Sequence, residues 1–257
     1  MMRITETVKV LIIINALFFL GTLLNEELFN RLFALYYFES SEFKVWQVVT
    51  HMFMHGGMLH ILFNMYALWA FGSPLEYQWG RKKFLFFYFS AGLGAALIHT
   101  LVNYYQVESG FKALMAAGMT ETEVQTMIGD IWRQVRSNPN GSFEIMKPQS
   151  VDMDTVVNMV SGFKSSAVGA SGAIYGVLVA FGLMYPNVEL MLLFVPVPIK
   201  AKYFIPGLLL LDLFSGVTGF SLFGQGIAHW AHIGGALFGF IMAYYWKRNS
   251  FNKHRWN

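Results

Sequence analysis

Residues 168–185 read VGASGAIYGVLVAFGLMY, and the fold turns on how this stretch is read. It is apolar enough to cross a bilayer, yet Ser171 stands among small residues in Gly169-Ala170-Ser171-Gly172, and Tyr175 follows one turn later. Two readings compete for that hydroxyl. Small-residue patches let membrane helices approach closely; alternatively, the glycines give room to a nucleophile. The stretch alone favours packing, so the remainder of the chain has to decide.

With 55% hydrophobic and 13% charged residues over 257 positions, the chain is too apolar for an ordinary soluble domain and reads as a membrane protein. The absence of cysteine excludes disulfides, thiolate metal sites and a cysteine nucleophile. The N-terminal MMRITETVKVLIIINALFFLGTLL is followed by Asn25-Glu26-Glu27 rather than a small-residue cleavage site, so it reads as a retained span. Six apolar stretches can be drawn, at 8–24, 58–79, 83–106, 168–186, 201–219 and 226–246, each near the roughly 20 residues a spanning helix needs. The segments on the side of the termini carry eleven basic residues against Glu6, Glu76 and Glu189; those on the other side carry seven basic against eleven acidic. Both termini are therefore expected in the cytoplasm. The basic charge is a topology signal, with no separate support for nucleic-acid binding.

Between spans one and two, residues 25–57 are rich in aromatics, including Tyr36-Tyr37-Phe38 and Trp46, and are expected to lie in the interface. Span two opens after His51-Met52-Phe53-Met54-His55 and carries His60 and Asn64 at i, i+4, on one helical face. Interhelical hydrogen bonding and donors aimed at a developing negative charge are both open there. A zinc site on His51, His55 and His60 is disfavoured, because Met52 replaces the glutamate of a His-Glu-x-x-His pair. Glu76 and His99 read as structural.

Residues 108–164 form the main extramembrane insert. Thr120-Glu121-Thr122-Glu123 reads as a capping box, followed by Val124, Met127, Ile128, Ile131, Trp132 and Val135 at helical spacing. The helix is expected to stop at Ser137-Asn138-Pro139-Asn140-Gly141, and a second short one to begin near Ser150 to Asp154. No metal or phosphate motif appears in it. Pro186, Pro196, Pro198 and Pro206 suggest an irregular connection between spans four and five. Asp212 is the lone aspartate inside a span, which argues against an aspartyl protease dyad and favours a buried hydrogen-bonding group. Spans two, four and six enter from the outer face, so His60, Asn64, Ser171 and His232 fall in one thin layer below it. Gly235 and Gly239, one turn and two turns beyond His232, would let span six approach the Gly172/Gly176 face of span four.

The chain resembles the rhomboid intramembrane serine proteases at three places: His55-x4-His60-x3-Asn64, Gly169-x-Ser171-Gly172 with Tyr175, and Ala231-His232-x2-Gly235-x3-Gly239. The resemblance covers the whole six-span core, and the chain is expected to form one rhomboid-like membrane domain, 1–257: an all-α, six-transmembrane-helix bundle with a helical extramembrane insert, 108–164, soluble or interfacial, between spans three and four. It implies Ser171 as nucleophile, His232 as general base and acid, Tyr175 as a ring packed on His232, and His60, Asn64 and the Ser171 N–H as an oxyanion hole, with Gly169, Gly172, Gly235 and Gly239 in support. His229 lacks the small residue at +3 that the family pattern has and is set aside as the base. With no carboxylate beside the imidazole, Tyr175 is expected to supply its orientation.

The resemblance further implies membrane-spanning protein substrates cleaved in the lipid bilayer near the outer surface, lateral entry near spans two and five, a cap at Phe220-Ser221-Leu222-Phe223, and neither metal nor organic cofactor. Trp46-Gln47 departs from the family's frequent Trp-Arg, and the insert is longer than the family's short form; it is expected to influence substrate entry. A catalytically inactive rhomboid-like scaffold is the nearest alternative. A transporter has less support, since the halves show no repeat and no broken-helix pair. A compact chain without a long presequence fits a bacterial plasma membrane.

Overall fold

The computed structural model describes residues 3–137, 145–164, 166–192, 195–220 and 226–252, and it divides into two compact units. The first comprises 1–34, 45–99 and 167–257; the second comprises 35–44 and 100–166. The expected cap residues Ser221 to Phe223 lie outside the described residues.

The first unit opens with α1 (Glu6–Leu24). Its N-cap Thr5 makes no side-chain cap, and the orphan amides of the first turn are met instead by Glu76. That carboxylate accepts the Thr7 and Val8 N–H groups at 3.0 Å each, and the Thr5 hydroxyl as well. Glu76 is thus the structural group expected, and an anion is favoured at a helix N-terminus.

Next, α2 (Glu26–Phe33) is capped by the Asn25 side chain, which accepts the Leu28 N–H at 3.0 Å. Of the last four carbonyls of α2, that of Asn30 accepts the Ala34 N–H, and the other three accept from Trp46 and the short α3 (Gln47–Thr50) that follows it. Gln47 Nε2 donates to the Arg31 carbonyl at 3.0 Å, Trp46 Nε1 to that of Leu32 at 2.8 Å, and Thr50 Oγ1 to that of Phe33 at 3.0 Å. Gln47, the departure from the family pattern, is fully buried and serves as an anchor of this kind. Gln47→Ala should lower stability by about 1–3 kcal/mol, the cost of emptying the space of a fully buried side chain and losing its bond to the Arg31 carbonyl; thermal unfolding in detergent would reveal it.

His51 and His55 lie ahead of the 58–79 span and are buried. Burial pushes the His51 imidazole down to about 4; burial and then the neighbouring His60 push that of His55 down to about 3. Both stay neutral in the fold, whereas each takes up a proton at about pH 6.5 once the chain unfolds. Their contribution to stability is therefore complete above about pH 6.5 and drains away as the pH falls through that value towards 4. The melting temperature in detergent should fall over this window, and His55→Leu should make the fall shallower.

Span two forms α4 (Met58–Ala67), a π-helical turn at Leu68–Gly72, and α5 (Ser73–Trp79). It is followed by α6 (Arg81–Ala116), 36 residues long, which runs ten residues beyond the expected span because it contains no proline, and the next glycine with positive φ is Gly118 (φ +96°). Ser171–Met184 forms α9, and Ala201–Thr218 and His229–Asn252 form α10 and α11; α7 and α8 belong to the second unit and are given below. Between α9 and α10 the expected irregular connection is instead an antiparallel ribbon of β1 (Glu189–Leu192) and β2 (Val195–Lys200), with Glu189 opposite Lys200. Pro196 and Pro198 are two apart and so share one edge of a two-stranded ribbon, where a missing N–H breaks no pairing.

Among the described residues, α1, α6 and α10 are by length and composition long and apolar enough to cross a membrane. The other expected spans fall short for local reasons: 58–79 is interrupted by its π turn, α9 has 14 residues, and α11 begins with His229 and His232. The core of this unit gathers Val8, Leu68, Phe84, Phe87, Val177 and Ala180, all fully buried.

In the second unit, α7 (Glu121–Ser137) starts as the capping box requires: Glu123 accepts the Thr120 N–H at 2.7 Å, and the Thr120 hydroxyl accepts the Glu123 N–H at 3.3 Å. These Thr120 bonds hold the Glu123 carboxyl below its ordinary range. Val124, Met127, Ile128 and Ile131 bury one stripe against Val156, Met159 and Val160 of α8 (Met153–Lys164), so the amphipathic face packs on protein.

Candidate active site

The chain reaches Ser171 through irregular backbone, which is tolerated at membrane depth only where its polar groups are satisfied within protein or face a wet cavity. The Gly169 N–H bonds to the His51 carbonyl at 2.9 Å, tying this approach to the segment before span two. Gly169 has φ +131°, a conformation that side chains avoid. A Cβ there would also stand 3.0 Å from His60 Nε2 and 3.3 Å from Ser171 Oγ, so the glycine opens the space between imidazole and hydroxyl. Ser171 is the first residue of α9, where unpaired N–H groups and the helix dipole favour negative charge.

On α11, His232 is brought to this hydroxyl by backbone-to-backbone packing. A Cβ on Gly235 would lie 1.8 Å from the Gly172 carbonyl oxygen, and one on Gly239 would lie 2.5 Å from Gly176 Cα. With only hydrogens in between, His232 Nε2 comes to 2.8 Å from Ser171 Oγ. The Tyr175 ring lies against the imidazole, centroids 4.1 Å apart and planes 11° from parallel.

The expectation that His232 lacks a carboxylate is corrected by the structure. Asp212 of α10 is buried and accepts at Oδ1 from His232 Nδ1 at 3.0 Å and from His229 Nδ1 at 2.5 Å, while its Oδ2 accepts the Tyr175 hydroxyl. His229, set aside as base, contacts Asp212. The donor atoms of Asp212, His229 and His232 lie within 4.8 Å of one another, a grouping able to hold a metal ion. The 3.0 Å separation from His232 is an ordinary hydrogen-bond length, and the 2.5 Å one from His229 is a short contact between two groups that can share a proton. A cavity of about 180 Å³ borders this cluster, walled by Tyr175, Leu211, Ser215 and the three clustered side chains.

His60 is half-buried, and its Nδ1 accepts the Gly56 N–H at 3.4 Å; a neutral ring bonded in that way carries its proton on Nε2, the atom beside Gly169. Asn64 is buried and donates one amide hydrogen to the His60 carbonyl at 3.0 Å, back along its own helix. His55 packs edge-on to His60 at 5.0 Å.

A profile of the Rhomboid domain matches residues 42–166 and 149–249. The chain belongs to the rhomboid family. It is 26% identical over 228 residues to an uncharacterized mitochondrial rhomboid protein of Schizosaccharomyces pombe, covering 83% of this chain and 54% of that protein. It is 26% identical over 150 residues to the rhomboid protease GlpG of Pectobacterium atrosepticum, covering 56% and 50% respectively. With the mitochondrial presenilin-associated rhomboid-like protein A of Danio rerio the identity is 27% over 193 residues, covering 75% and 35%. The chain thus spans about half the length or less of these relatives. Rhomboid membership makes it an integral membrane protein with a helical bundle.

In this rhomboid chain, Asp212 is the member of the candidate site that sequence reasoning left outside. Its signal was there, since a carboxylate inside a span is costly unless partnered. Nothing in the spacing of α10, α9 and α11 names its partners.

Proposed function

We propose that this chain is an intramembrane serine endopeptidase that cleaves membrane-spanning proteins, with Ser171 as nucleophile and His232 as general base and acid. The observation that carries the reading is the 2.8 Å approach of His232 Nε2 to Ser171 Oγ, across 61 positions of sequence. As Oγ forms its bond to the substrate carbonyl carbon, the hydroxyl proton passes to Nε2 and the carbonyl oxygen takes the negative charge. The imidazolium then gives that proton to the departing amide nitrogen as the C–N bond breaks. Water, deprotonated by the same imidazole, releases the acyl group and restores the serine.

His60 Nε2–H, the Asn64 amide and the Ser171 N–H are the proposed donors to the oxyanion, supported by the position of His60 beside Gly169 and by the start of α9 at Ser171. Small-residue, locally unstable helices are the expected substrates, because an intact helix shields its peptide bonds. We place both termini on the cytoplasmic side, on the bias of Lys and Arg; a bacterial plasma membrane is the proposed location, and mitochondrial relatives make organellar membranes the comparison to test.

The test is labelling by a serine-reactive fluorophosphonate together with cleavage of a panel of single-span reporters in one membrane preparation. Labelling and cleavage by the wild type, both lost in Ser171→Ala, are expected. Wild-type protein that neither labels nor cleaves would point to the inactive scaffold instead.

A further inference from the structure

Parallel stacking on Tyr175 fixes the plane of the His232 ring, but a stacked face looks the same whichever nitrogen bears the proton. It also looks nearly the same after the ring turns over. The ring contact at 4.1 Å and 11° therefore leaves a question open: what keeps a lone pair, rather than an N–H, pointed at Ser171?

Asp212 answers it. A carboxylate only accepts hydrogen bonds, so the 3.0 Å contact to Oδ1 requires the His232 proton on Nδ1 and leaves Nε2 free to accept from Ser171 Oγ at 2.8 Å. We propose that Asp212 is a positioning residue of this site, extending the Ser171–His232 pair into a serine–histidine–aspartate chain of hydrogen bonds. This inference rests on the proposed protease activity.

The carboxylate is itself held. His229 Nδ1 donates to the same Oδ1 at 2.5 Å, and the Tyr175 hydroxyl donates to Oδ2. Tyr175 thus serves twice, as the surface that aligns the ring and as a donor that aligns the carboxylate. Asp212 is buried at 6% exposed, so its negative charge acts on the imidazole with little screening and favours the imidazolium formed during attack. It stays ionised in this scheme and takes no proton.

A purely structural reading, in which Asp212 ties α9, α10 and α11 together, makes a different forecast for Asp212→Asn. That change preserves shape but leaves one acceptor oxygen where three donors converge, and sets an N–H against one of them. The experiment measures kcat and KM for reporter cleavage by wild type, Ser171→Ala and Asp212→Asn, each normalised to folded protein from a thermal melt. Cleavage that depends on Ser171 establishes the protease reading first. Given that, Asp212→Asn is expected to lower kcat by about 100-fold or more with KM within about twofold. A kcat within about threefold of wild type, or a fall matched by loss of folded protein, overturns the positioning role and leaves the protease intact.

A second measurement needs no Asp212 variant. Histidine 15N spectra of the wild type, with the His232 signal assigned by its loss in His232→Ala, should show Nδ1 protonated and Nε2 bare at neutral pH. A protonated Nε2 in the neutral ring overturns the inference.

Discussion

His232→Ala is expected to slow reporter cleavage by on the order of 10⁴-fold, about 5 kcal/mol of barrier, and to do so with KM little changed. The same loss is expected for Ser171→Ala, and the double variant should be no slower than either alone. In the proposed mechanism the two groups act as one device. The hydroxyl is a poor nucleophile until its proton has somewhere to go, and the acceptor stands 2.8 Å away. Once either member is gone the other has nothing to act on, so the penalties do not add. Losses that multiplied in the double variant would mean that Ser171 and His232 contribute independently, against the mechanism proposed.

Among the described glycines, Gly235→Ala should be the most disruptive to the packing of α9 on α11. Its Cβ would meet the Gly172 oxygen at 1.8 Å, the Gly172 carbonyl carbon at 2.7 Å and Gly172 Cα at 3.3 Å, all backbone atoms that cannot rotate aside. Relief requires α9 and α11 to part, at a cost of about 3 kcal/mol or more, at the top of the range for overpacked cores. Gly172 adjoins Ser171 and Gly235 is three residues from His232, so the same parting lengthens the hydroxyl–imidazole contact. Cleavage per folded molecule should fall along with the melting temperature. Gly129→Ala is the matched control: nothing lies within 4 Å of its added carbon, and a helix interior prefers alanine to glycine by up to about 1 kcal/mol. If both substitutions leave stability and cleavage alike, close approach of the two helices is not what assembles the site.

Local chemistry made much of this chain readable without coordinates. The capping box at Thr120 to Glu123 and the stripe from Val124 to Ile131 are periodic within one helix, and α7 follows them. Glu76 was legible as a structural polar group, though not as the cap of α1, whose first turn lies 68 and 69 positions earlier in the chain. The apolar stretch 83–106 marks a span but not the end of its helix, because a helix continues until something stops it, and α6 runs on to Ala116. The prolines after α9 signal irregularity in the sequence because proline breaks helices and central strands; an edge of a two-stranded ribbon tolerates them.

Sequence by itself determined that this is a helical membrane protein of the rhomboid kind, and it singled out Ser171, His232, His60, Asn64 and Tyr175, because short motifs and hydropathy are properties of neighbouring residues. Tertiary structure alone decided what surrounds the imidazole. Asp212 lies 17 to 37 positions from the three donors it accepts, on a different helix from all of them. Hydrogen bonds between helices depend on rotation and depth to within an ångström, and those are set by glycine contacts such as Gly172 with Gly235 rather than by any spacing along the chain.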